Sequence, residues 1–88
     1  MATDAKYGKV TLEHGTIGED EQVVVFRAQD KHLPKLLAYY HLFCLREESP
    51  KRHLDLILES RDKVMLWQRR NLARIRTPDS ESSRAWRP

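Results

Sequence analysis

The sequence predicts a small α+β domain: a β-hairpin, then an antiparallel two-helix hairpin packed on the sheet, then a short third strand, in the order β-β-α-α-β. Three observations carry that prediction. Residues 7–14 alternate polar and apolar side chains, the period of a half-exposed strand. Residues 23–26, Val-Val-Val-Phe, are dense in β-branched and aromatic types. From Leu33 to about Arg70 apolar residues recur every three or four positions, broken only at Ser49-Pro50.

In the first strand Lys9, Thr11 and Glu13 fall on one face and Val10 and Leu12 on the other. Gly15-Thr16-Ile17-Gly18-Glu19-Asp20-Glu21 supplies turn residues and charge, so 7–14 and 23–26 are expected to pair across a loop longer than the tightest turns. Three successive valines predict a strand covered on both faces.

Asp30 is placed to cap the first helix, and Pro34 suits its first turn. Leu33, Leu36, Leu37, Tyr40, Phe43 and Cys44 form the main stripe of a helix over 33–48. Ala38, Leu42 and Leu45 lie roughly opposite. Ser49 is the expected N-cap of a second helix running from Pro50 to about Arg70, with Leu54, Ile57, Leu58, Val64 and Met65 as its stripe. Leu56, Leu66 and Trp67 lie off that stripe. So short a link makes the helices antiparallel. After Asn71, Ala73, Ile75 and Thr77 alternate with Arg74 and Arg76, which predicts a strand over 72–77 stopped by Pro78. The single domain is expected to span 1–79, with 80–88 as a flexible tail carrying Arg84, Trp86 and Arg87.

Charge divides the chain. Residues 1–30 carry a net −3, residues 31–68 a net +2, and residues 69–88 a net +4 supplied by arginine alone. With 88 residues there is room for one binding surface and little for a deep enclosed active site. The single cysteine, Cys44, excludes a disulfide within the chain. The start of the chain lacks an apolar signal core, and no apolar run approaches the length of a membrane span, so a soluble, cytoplasmic protein with no membrane partner is expected.

No catalytic constellation stands out, and the expectation is that the protein is not an enzyme and uses no cofactor. His41 and Cys44 sit at i and i+3, but a structural zinc site needs four ligands and there is no second pair. Cys44 lies on an apolar stripe, where thiols are usually inert. The acids Glu19, Asp20 and Glu21 match no calcium-loop spacing.

Two binding readings compete. The surplus apolar residues Leu42, Leu45, Leu56, Leu66 and Trp67, beside Arg69 and Arg70, are the types enriched at protein interfaces, and they point to a protein partner or a homodimer. The bland alternative is that sheet and tail cover them. The second reading is a nucleic-acid-associated protein contacting phosphate through Lys51, Arg52, Arg70, Arg74 and Arg76. Two tightly linked helices suit a helix-turn-helix, but Asp55, Glu59 and Asp62 would repel DNA. The apolar strand 23–26 does not suit the polar base-reading strand of ribbon-helix-helix repressors.

Gly15 through Glu21, Val25-Phe26-Arg27-Ala28-Gln29-Asp30, Trp67-Gln68 and Pro78-Asp79 together resemble a family of small bacterial and phage-encoded proteins without an assigned function. The resemblance spans most of residues 6–79. It implies an accessory protein of the cytosol and carries over no site residue, cofactor or partner.

Overall fold

The structure, a computed structural model, describes residues 2–77. The described residues up to Phe26 form one compact unit and those from Arg27 onward form a second. The first holds a three-stranded mixed sheet, the second a pair of helices, and the class is α+β.

In the first unit, β1 is Thr3–Asp4, β2 is Gly8–Lys9 and β3 is Gln22–Val23, in the order β2-β1-β3. β1 pairs antiparallel with β2, Thr3 against Lys9, and parallel with β3, Thr3 against Gln22. The expected hairpin between 7–14 and 23–26 is therefore replaced. Both segments join the sheet through β1, a segment with no strand signature of its own.

A side chain supplies what propensity lacks. The Asp4 carboxylate accepts hydrogen bonds from the backbone N–H groups of Lys6 and Tyr7 on Oδ1, at 2.8 and 2.7 Å, and from Val25 on Oδ2, at 2.7 Å. It thereby shapes the turn that returns the chain to Gly8, whose φ of 86° is the left-handed conformation glycine tolerates. It also pins the residues just after β3. The Gln22 side-chain amide adds a bond to the Thr3 carbonyl at 2.7 Å. The valine run is not covered on both faces: Val23 is half-buried, while Val24 is 69% exposed and Val25 and Phe26 are also exposed. With only two ladder residues per strand, the sheet is too short to cover them.

In the second unit, α1 is Leu33–Arg46 and α2 is Lys51–Arg70. Asp30 acts one turn ahead of α1: its carboxylate accepts the His32 N–H at 2.8 Å and its carbonyl accepts the Leu33 N–H at 3.1 Å. The cap position itself is His32, with Pro34 in the first turn. α1 ends two residues sooner than its periodicity suggests. Ser49 N–H donates to the Cys44 carbonyl at 3.0 Å and Glu48 N–H to the Leu45 carbonyl at 3.1 Å, the paired bonds of a Schellman motif. Glu48 takes the left-handed position that motif requires, with φ at 57°. Pro50, not Ser49, is the N-cap of α2; its carbonyl accepts from His53 and Leu54, and Ser49 is already spent in closing α1.

The helices run antiparallel. Near the link, the Tyr40 and His53 rings meet edge to face at 5.9 Å. At the far end, Gln68 Nε2 donates to the carbonyls of Ala28 and Asp30, at 2.9 and 2.8 Å, just ahead of α1. Beyond α2, Leu72–Arg74 forms a single 3-10 turn in place of the expected strand. Arg76 meets the segment ahead of α1 in a parallel bridge with Asp30. Asn71 explains the difference: its side-chain amide donates to the Trp67 carbonyl at 2.8 Å and its backbone carbonyl accepts from Arg74 at 2.8 Å, which coils the chain before it can extend.

The core is thin. Leu33 and Ile57, each 6% exposed, are the buried apolar residues of the helix pair. Among the described residues no side chain is fully buried.

Candidate protein-interaction surface

The partner-binding residues expected from sequence fall on three separate strips. Leu42 and Leu45 are a turn apart and both exposed, on the flank of α1 away from Tyr40. On α2, residues eleven apart nearly coincide around the axis at about 100° per residue, so Leu56 and Trp67 share one line. Leu66 lies roughly 80–100° around from that line, with Arg70 one turn further on. Leu56, Leu66, Arg69 and Arg70 are exposed, whereas Trp67 is half-buried. The Arg74 guanidinium sits 4.8 Å from the Trp67 ring centre, and its Nη1 donates to Asn71 Oδ1 at 3.3 Å. Trp67 is thus partly occupied within the chain by a cation–π contact.

The larger apolar surface is one the periodicity had assigned to the core. Leu33, Leu37 and Cys44 are buried or half-buried, but Leu36, Tyr40 and Phe43 are exposed, and Tyr39 with them. Positions 36, 39, 40 and 43 make an uninterrupted i, i+3, i+4, i+7 stripe, between 40% and 57% exposed. One facing helix covers a strip about one side chain wide, and α1 carries apolar residues around most of its circumference. The signal was present in the sequence as Tyr39, which adjoins the stripe and had no role in the two-helix core. Met65 on α2 is exposed for the same reason.

The cationic residues do not converge. Lys51 and Arg52 open α2, while Arg70, Arg74 and Arg76 lie at or beyond its other end, about 30 Å away for a helix of 20 residues. Lys51 is paired to Asp55 at 2.7 Å, and hydrogen bonding and charge from Asp55 push its ammonium pKa up. Between the two cationic ends, a shallow groove lined by Asp55, Leu58, Glu59, Asp62, Lys63 and Leu66 is acidic on balance.

Tyr40 lies beside two other polar side chains, Cys44 and His53. A hydrogen bond with Cys44, together with that thiol's charge and burial, raises the phenol's pKa. Tyr40 Oη also lies 3.4 Å from His53 Nε2. Among the described residues no three His, Cys, Asp or Glu side chains gather as a metal site, and no helix is long and apolar enough to cross a membrane. Residues 80–88, including Arg84, Trp86 and Arg87, lie outside the described residues.

Comparison with protein-family models, with curated proteins and with solved structures finds no match to this chain.

Proposed function

We propose that the chain is a non-enzymatic protein-interaction module, a soluble cytoplasmic accessory protein that acts by binding another protein chain. The observation that carries the reading is the mismatch between core and surface. Leu33 and Ile57 are the buried apolar residues of the helix pair, while Leu36, Tyr39, Tyr40, Leu42, Phe43, Leu45, Leu56, Met65 and Leu66 are exposed. Aromatic side chains present roughly 200 Å² each, so the half-exposed Tyr39, Tyr40 and Phe43, with Leu36, expose roughly 400 Å² along one stripe. A patch that size matches the largest apolar patch on a typical monomer, which is often a functional surface. The helix hairpin carries that stripe, and residues 1–79 are proposed as a single domain.

The second reading is a nucleic-acid-associated protein. Arg69 and Arg70, exposed in the last turn of α2, favour it together with Arg76. A tagged chain captured from a lysate of its source cells, with and without nuclease, separates the two. A specific protein recovered after nuclease, and lost in a Leu45→Glu or Tyr39→Lys variant, supports the interaction module. Recovery that disappears with nuclease, or nucleic-acid binding that falls steeply with salt, supports the second reading and removes the first.

A further inference from the structure

We infer that the α1 stripe is built for a second copy of this chain, packed antiparallel along Leu36, Tyr39, Tyr40 and Phe43. This rests on the interaction-module reading and assigns its partner and geometry. Three features of α1 point to self-pairing over an unrelated partner.

The first is symmetry of pattern. A two-fold axis passing between Tyr39 and Tyr40 sets Leu36 against the partner's Phe43 and Tyr39 against the partner's Tyr40. The same axis sets His32 against the partner's Glu47. An isologous interface needs a patch complementary to itself when turned end for end. The order Leu, Tyr, Tyr, Phe meets that need, because large apolar residues flank an aromatic centre at matching distances on both sides.

The second is charge. Lys31, Lys35 and His32 stand at the start of α1, with no acid in its first turn, whereas Glu47 caps its end and Glu48 follows. Counting Asp30 and Arg46 as well, residues 30–35 carry a net +1 and residues 46–48 a net −1, with histidine neutral. These signs oppose the helix's own dipole, which favours anions at the start and cations at the end. Among the described residues, the side chains of Lys31, Lys35, Glu47 and Glu48 make no ion pair. An antiparallel copy places each end's charge beside the opposite charge, and the partner's dipole beside its own reverse.

The third is area. Leu56 lies one turn beyond His53, the residue Tyr40 touches, so it widens the patch on that side of the hairpin. With Leu56 included, each copy offers roughly 500 Å², or about 1,000 Å² for the pair, the lower limit for a specific interface. An interface at that limit belongs to the weaker, transient class of associations.

Sedimentation equilibrium of the full chain, from low micromolar to near-millimolar, tests this. The mass is expected to rise from that of one chain to twice that value. Tyr39→Lys, which buries a charge against the partner's Tyr40 on each side of the axis, is expected to weaken the dimer at least tenfold. Glu47→Lys with Glu48→Lys is expected to weaken it several-fold while the helical signal holds or rises, since the new lysines suit the helix end. Adding Lys31→Glu and Lys35→Glu to that pair is expected to restore association. A single-chain mass throughout overturns the inference, as does a dimer indifferent to Tyr39→Lys or a four-fold variant that fails to recover. A chain that stays monomeric yet retains a nuclease-resistant protein partner overturns self-pairing and leaves the interaction module standing.

Discussion

Gln68 closes the open end of the helix hairpin, and replacing it tests how that unit is held together. Its amide donates to two carbonyls, those of Ala28 at 2.9 Å and Asp30 at 2.8 Å, which lie 40 and 38 residues away in sequence. Gln, Met and Glu have nearly equal helix propensities, so Gln68→Met and Gln68→Glu change the clamp and little else. In the methionine variant both bonds are lost. The Asp30 carbonyl keeps the Leu33 N–H, but the Ala28 carbonyl loses its donor. Two bonds at about 0.5–1.5 kcal/mol each, with one carbonyl left half-buried, put the loss near 2 kcal/mol. Gln68→Glu keeps the shape and replaces the donor with a carboxylate facing two carbonyl oxygens, so it is expected to cost about 1 kcal/mol more at neutral pH. That carboxyl would titrate above its unfolded value, because only its protonated form can donate. Its contribution is therefore present below the unfolded pKa, about 4.3, and lost as pH rises through the higher folded value, making the glutamate deficit smaller near pH 4 than near pH 7. Urea unfolding followed by far-ultraviolet circular dichroism, at one fixed protein concentration, gives the three stabilities. If both variants fall within about 0.5 kcal/mol of the parent, the clamp carries no stability and the argument fails.

Three further perturbations have signed outcomes. Glu48→Gly relieves a left-handed residue that costs about 1–2 kcal/mol, less the added freedom of an unfolded glycine, and should stabilise the helix pair by about 0.5–1 kcal/mol in the same assay at low protein concentration; a loss of stability would contradict the Schellman geometry. Arg61, one turn from Ile57 on α2, buries its Nε with no partner while its Nη2 reaches Asp62 at 3.4 Å, so Arg61→Met should raise stability by about 1 kcal/mol, and a drop of that size would show the guanidinium to be satisfied. Burial pushes the Asp4 carboxyl up, but the N–H groups of Tyr7, Val25 and Lys6 and the Lys6 charge outweigh it and hold its pKa below the ordinary value. Its stabilisation is therefore complete above the unfolded value of about 3.9 and lost as pH falls through the lower folded value. Amide hydrogen exchange at Lys6, Tyr7 and Val25 should quicken over that acid range, and Asp4→Asn should abolish the dependence; unchanged exchange in the variant would remove Asp4 from its place in the sheet.

The helices were legible and the sheet was not, for different physical reasons. Over 33–70 each residue votes for the same period, and Pro34 and Pro50 punctuate that pattern, so both helices fall within two residues of their expected ends. The sheet has two ladder residues per strand and depends on one carboxylate, Asp4, whose partners are two, three and twenty-one residues away. No periodic signal marks such a residue. The alternation at Val10 and Leu12 was real, but it led to the wrong neighbour because β1 has no β-branched run to announce it. The strand expected over 72–77 failed to Asn71, a side chain that bonds its own helix end and competes with extended structure. For the candidate surface, surplus apolar residues were visible as a count, and their arrangement was not. Periodicity shows that Leu36, Tyr40 and Phe43 share a side of α1, but whether another element covers that side is a tertiary fact.

The thin core and the exposed stripe are one feature. A pair of helices has one mutual seam, and here only Leu33 and Ile57 of the two helices are buried apolar residues, with Leu37, Cys44, Leu54, Leu58 and Val64 half-buried. The remaining large side chains of α1 are apolar beyond what that seam can take, and α1 has no Lys, Arg, Asp or Glu between Leu36 and Leu45. A surface helix under selection for solubility alone would interleave charge there, at little energetic cost. Tyr39, Tyr40 and Phe43 are uncharged and exposed, and the proposed self-pairing is what would cover them. When association covers them, apolar burial that the single chain lacks is added to the folded state, and folding and binding become linked through protein concentration. Under the proposed pairing, that linkage would offset the cost of Glu48 in a left-handed position and of a buried Arg61 Nε, local costs that weigh heavily in a domain this small.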